Sequence, residues 1–122
     1  MPNLWRANQT ENVLFIHEFH NAAALKNVTL GIYTNWHDWW LITGNTRFFP
    51  SSLLWFWSAN GLGKSGETSQ NVSDFLPFGP FKRAHVKQYG IRTFEIKMTL
   101  RHIRISEEDY CGITVNSNFC DF

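Results

Sequence analysis

The nine residues RTFEIKMTL (92–100) alternate without a break: Phe94, Ile96, Met98 and Leu100 point one way, Glu95, Lys97 and Thr99 the other. Successive side chains of a strand leave on opposite faces, so this period of two demands a half-buried β-strand. The alternation slips after Leu100, because His102 falls where an apolar residue belongs and Ile103 and Ile105 follow. One extra residue at Arg101-His102, a β-bulge or a corner, restores it.

Other segments read the same way. NVTLGIY (27–33) alternates, WWLIT (39–43) is closed by Gly44-Asn45, and GITVNSNF (112–119) forms a last strand. SLLWFWSA (52–59) is apolar on both faces, the mark of a central strand. ENVLFIHEFHNAAALK (11–26) fits either a helix, through Phe15, Ile16, Phe19, Ala22 and Ala23, or a strand over 12–19. The β-branched and aromatic first half favours the strand. Some six strands with loops between them predict an antiparallel β-sandwich, immunoglobulin-like or jelly-roll-like, with room for one short N-terminal helix. At 122 residues, with 16% aromatic residues to fill a core, residues 1–122 are expected to form a single domain.

Several functions are disfavoured. A net charge of +1 gives no global attraction to polyanions, and no apolar run approaches the length of a spanning helix. The N-terminus lacks the basic-then-apolar pattern of a signal peptide, so the expectation is cytosolic synthesis or a trimmed leader. SANGLGKS (58–65) imitates a phosphate-binding loop, but Ser58 replaces its first glycine and no helical stripe follows Ser65. That stretch reads as an ordinary turn. There is no G-x-S-x-G motif, and Glu107-Glu108-Asp109 reads as a solvated turn rather than an acid/base pair. HEFH (17–20) would let His17 and His20 share a helix face and bind zinc, with His37 and Asp38 as further ligands; on a strand they point apart. The simpler reading is two ordinary histidines, with no metal and no cofactor, and a metal-dependent enzyme at His17/His20 is a minority alternative.

The stretch TNWHDWW (34–40) carries the recognition signal. Trp36 interleaved with Asn35, His37 and Asp38 combines an indole with hydrogen-bonding groups, as glycan and protein contacts do, whereas Trp39 or Trp40 suits the core. Basic residues concentrate in 82–104. Arg92, Lys97, Arg101 and Arg104 could make a sheet face that binds single-stranded nucleic acid, beside the simpler reading of a solvated face. Cys111 and Cys120, nine apart, suit either a disulfide or two free thiols, and Asn8, Asn27 and Asn71 open glycosylation sequons.

LKNVTLGIYTNWHDWW and FEIKMTLRHIRISEEDYCGI resemble strands of an immunoglobulin-superfamily variable-type domain: the second strand leading into the tryptophan strand, then the fifth and sixth strands with their acidic turn, Tyr110 and Cys111. Ile32 stands where that family has its first core cysteine. The resemblance implies surface recognition with no catalytic residues. The sequence therefore predicts a non-catalytic module binding a protein or glycan partner through Asn35, Trp36, His37 and Asp38. Nucleic-acid binding is the alternative, and a small α+β inhibitor or immunity-type protein follows if 11–26 is helical.

Overall fold

The computed structural model describes residues 2–49 and 53–91 and the backbone of 113–115. Its elements run α1 (Gln9–Ala24), β1 (Gly31–Thr34), α2 (Trp36–Thr43), β2 (Leu53–Trp57), β3 (Val86–Gln88) and β4 (Ile113–Val115). The sheet order is β1-β2-β3-β4; the first three strands are parallel and β4 is antiparallel to β3. This is a mixed α+β architecture and overturns the predicted antiparallel β-sandwich. Parallel neighbours need a crossover connection. Here α2 lies between β1 and β2, and residues 58–85 lie between β2 and β3.

Two expected strands are helices for the same physical reason: their termini are capped. Asn8 precedes α1, and its side-chain oxygen accepts the N–H groups of Thr10 and Glu11. The residues of α1 that turn inward, Asn12, Val13, Ile16, His17, His20 and Ala23, recur with helical spacing. Phe15 and Phe19 lie on the outer side and stack on each other with centroids 6.4 Å apart. At α2, Asn35 accepts the N–H of Asp38 at 2.8 Å, and Gly44, at φ 65°, closes the other end by donating to the Trp40 carbonyl at 2.9 Å. The two helices are tied by buried Asn12, whose amide donates to the carbonyls of Arg6 and Ile42, at 2.8 and 2.9 Å. Gln9 adds bonds to the Trp40 and Leu41 carbonyls.

The sheet has two unlike faces. Leu54 and Phe56 on β2 point into the core together with Lys87 on β3, while Trp55 and Trp57 leave on the other side. The core is a relay of aromatic contacts, edge-on except for the tilted Phe75–Phe78 pair. Trp39 meets Phe49 and Phe81 with centroids 5.9 and 5.2 Å apart, Phe81 meets Phe78, Phe78 meets Phe75, and Phe75 meets Phe56. Trp39 thus fills the core from a helix, and its indole N–H donates to the Thr46 carbonyl at 3.1 Å. Gly79, at φ 49°, passes directly beneath that indole, where any Cβ would overlap Nε1.

Lys87 is wholly buried. Its ammonium donates to the Ser69 carbonyl at 2.6 Å, the Asn71 carbonyl at 3.0 Å and the Asp74 carboxylate at 2.6 Å. All three donors are used, so the cation clasps the 58–85 connection onto the sheet. Removing one partner of such a pair strands a buried charge or carbonyl, at a cost of about 3–5 kcal/mol. Lys87→Met is expected to lose roughly that much in urea unfolding, whereas Lys82→Met, on the exposed surface, should change stability by about 0.5 kcal/mol or less.

His85 joins β2 to the start of β3. The backbone N–H of His85 donates to the Leu54 carbonyl at 2.9 Å, and its Nδ1 accepts the Leu54 N–H at 3.1 Å, which requires a neutral ring with its proton on Nε2. Burial, and secondarily the Arg83 charge, lowers its pKa from 6.5. With the folded value below the unfolded one, the unfolded chain takes up the proton first. This contribution to stability is complete above pH 6.5 and is lost as the pH falls through the folded value. Melting curves from pH 8 to 5 should therefore drop more steeply for the native chain than for His85→Asn, which keeps an acceptor but does not titrate.

Candidate functional site at the carboxyl edge of the sheet

Ligands of open α/β sheets bind outside the carboxyl ends of the parallel strands, because the connections leave there and the helix N-termini face that edge. In this chain the edge is formed by the residues following Thr34, Trp57 and Gln88. Each strand delivers a different chemistry.

After β1 comes the first turn of α2. It brings together the four residues singled out from sequence, but with divided tasks. Asn35 is the helix cap, so its side-chain oxygen is already engaged. Trp36 is 62% exposed and meets the His37 ring edge-on. The Asp38 carboxylate is mostly covered, at 14% side-chain exposure, with His37 Nδ1 at 3.7 Å. Trp36, His37 and Asp38 thus offer an open indole, an imidazole and a held carboxylate.

After β2 the chain folds back on itself. Ala59 pairs with Glu67, Asn60 donates to the Gly66 carbonyl, and Gly66 donates to the Gly63 carbonyl. Gly61 and Gly66 cross so closely that a Cβ on Gly66 would overlap the Gly61 carbonyl. The glycines of SANGLGKS serve this crossing. The loop is held from below: Gly63 donates to the Ile91 carbonyl at 2.7 Å, Thr68 to the Tyr89 carbonyl at 2.9 Å, and the Thr68 hydroxyl to the Ser58 carbonyl at 2.6 Å. Its product is Glu67, a second carboxylate at the edge, partly exposed.

The end of β3 supplies Gln88. Its side chain accepts the Tyr33 hydroxyl at 2.7 Å and donates to the Gly90 carbonyl at 3.0 Å. Tyr33 meets Trp55 edge-on at 5.3 Å, so the face opposite the core presents an aromatic surface with a polar corner. Sequence reasoning missed Tyr33, Glu67 and Gln88. The signal for Tyr33 was its alternation with Ile32 and Thr34; for Glu67 and Gln88 it was only the folded geometry.

The other predicted positions fare differently. His17 and His20 both lie on α1, where the His17 ring packs against Phe48 at 5.1 Å and its Nδ1 is 3.3 Å from the Asn21 amide. Among the described residues no three His, Cys, Asp or Glu side chains gather as a metal cluster. Lys87, within the basic stretch 82–104, faces inward. Arg92, Lys97, Arg101 and Arg104, the bulge at Arg101-His102, the acidic turn Glu107-Asp109, and Cys111 and Cys120 lie outside the described residues. Asn8 caps α1, Asn27 takes the left-handed conformation after it at φ 56°, and Asn71 is exposed, with its Oδ1 accepting from Ser69 and Ser73. No helix among the described residues is long and apolar enough to cross a membrane.

Against known proteins, the family model described as Lys-1: Lysozyme-like protein 1 matches residues 1–89. Lysozyme-like protein 2 of Caenorhabditis elegans is 47% identical over 90 residues, covering 73% of this chain and 32% of the relative. Lysozyme-like proteins 3 and 1 of the same organism are 35% and 38% identical over 118 and 116 residues, covering 96% and 94% of this chain and 34% of each relative. The chain spans about a third of the length of these relatives. No solved structure matches it significantly. These matches overturn the immunoglobulin resemblance, which the fold also rejects: the proposed tryptophan strand is α2, and β1 pairs in parallel. They likewise remove the ground for expecting a non-catalytic module.

Proposed function

The chain belongs to the lysozyme-like protein family, and we propose that its carboxyl edge contributes to binding and hydrolysing an amino-sugar glycan of the cell-wall type. The observation that carries this reading is that an open indole, Trp36, and two carboxylates, Asp38 and Glu67, follow the carboxyl ends of the adjacent parallel strands β1 and β2. Their three neighbourhoods lie within the family-matched residues. The same reading takes residues 1–122 as one domain.

The chemistry follows from the residue types. A pyranose ring has an apolar C–H face that stacks on an exposed indole, and its hydroxyls hydrogen-bond to polar side chains such as Gln88 and His37. Hydrolysis of a glycosidic bond uses two carboxyl groups flanking it. One donates a proton to the leaving oxygen as the C1–O bond breaks. The other, as a carboxylate, either attacks C1 or takes a proton from the water that does. Among the described residues Asp38 and Glu67 are the carboxylates at this edge; Asp74 is occupied by Lys87, and Glu11 by Arg6 at 2.8 Å.

Two measurements test the proposal together. Trp36→Ala should weaken binding to insoluble peptidoglycan by about tenfold or more, as loss of an exposed aromatic anchor does, with an unchanged melting temperature. Glu67→Gln should retain binding while turnover of a soluble peptidoglycan fragment falls by about a hundredfold or more. Normal retention of Trp36→Ala would remove this site. Binding without any turnover by the native chain would leave a glycan-binding protein and refute hydrolysis.

A further inference from the structure

The Glu67 carboxylate stands above a residue that has no side chain. A Cβ on Gly90 would come within 3.1 Å of Glu67 Cγ and 3.8 Å of both Cδ and Oε1. Gly90 does not adopt a left-handed φ, so its backbone does not require glycine. Its neighbours on either side, Tyr89 and Ile91, accept the two backbone hydrogen bonds that dock the loop, from Thr68 and Gly63. The loop backbone is therefore fixed immediately over Gly90. A β-carbon at Gly90 would press on Glu67 Cγ, which would have to give by a few tenths of an ångström, whereas Cδ and Oε1 would remain at ordinary contact distance.

We infer that Gly90 is a positioning residue: the missing side chain at Gly90 sets where the Glu67 carboxylate stands at the carboxyl edge. This deepens the proposed glycan site and rests on it only for the functional consequence. A carbon placed 3.1 Å from Glu67 Cγ is tighter than ordinary packing, so one of the two groups must move. The backbone on both sides is held by hydrogen bonds. The carboxylate end of Glu67, joined through rotatable bonds and partly exposed, yields first.

The test uses Gly90→Ala, Glu67→Ala and the two combined. In carboxyl-detected 13C spectra, Gly90→Ala is expected to displace the Glu67 resonance and leave that of Asp38 in place. Turnover of the soluble peptidoglycan fragment should fall about fivefold to tenfold in Gly90→Ala and show no further loss when that change is added to Glu67→Ala, the non-additivity of two groups in contact, while calorimetric binding of an N-acetylglucosamine tetramer is retained. An unmoved Glu67 resonance, or additive losses, would overturn the inference. If Gly90→Ala melts earlier, Glu67→Ala in the same chain should restore the midpoint; failure to restore it means the clash lies with another group and also overturns the inference. If the resonance moves but the native chain binds no tetramer, the positioning stands and the glycan reading falls.

Discussion

Parallel pairing of β1, β2 and β3 is the constraint from which the rest of the structure follows. Strands running the same way cannot be joined by a hairpin, so after each one the chain must travel back before pairing again. The first return is made through α2 and the second through residues 58–85. Because both connections leave from the carboxyl ends, both deposit polar side chains there. One topological requirement thus explains why Asp38 and Glu67, far apart in sequence, belong to the same edge of the sheet.

The two connections reach rigidity by different means. The first is helical and satisfies its backbone internally, needing only the Asn35 cap, the Gly44 terminus and the Trp39 anchor. The second has no helix beyond a three-residue 3-10 turn, Lys64–Gly66, and must find its partners elsewhere. Lys87 provides three of them from within the sheet, and Tyr89 and Ile91 provide two more. A fully buried ammonium is costly to desolvate, and here its cost is offset because every donor has an acceptor.

Some of this was legible in the sequence. SLLWFWSA reads as a central strand, and β2 is central; the choice of Trp39 over Trp40 for the core could be narrowed to those two. The fold class is not legible at α1 and α2, whose sequences also fit strands. WWLIT contains only five residues, too few to separate a period of two from one of 3.6, and the deciding signals stand outside it: asparagine before the helix, Asp38 in the first turn, glycine after it. At α1 the aromatic residues Phe15 and Phe19 look like core but lie outside, while Asn12, a polar residue, is buried because it bridges two carbonyls. The Trp36–Asp38 half of the site could be read because its members are contiguous. Glu67, Gln88 and Tyr33 could not, since their association depends on strand register between segments tens of residues apart.

The helix-free second connection also has a kinetic meaning. Pairing β1 with β2 closes a short loop that α2 already shortens, whereas pairing β3 with β2 must close residues 58–85 against their full chain entropy, before the ammonium clasp can form. The ordering of events in folding would thus place assembly of the Glu67 ledge late, after the helical half has condensed. Run in reverse under thermal or chemical stress, the same hierarchy releases the Glu67 ledge first and leaves the α2–β2 half, with Trp36 and Asp38, standing longest.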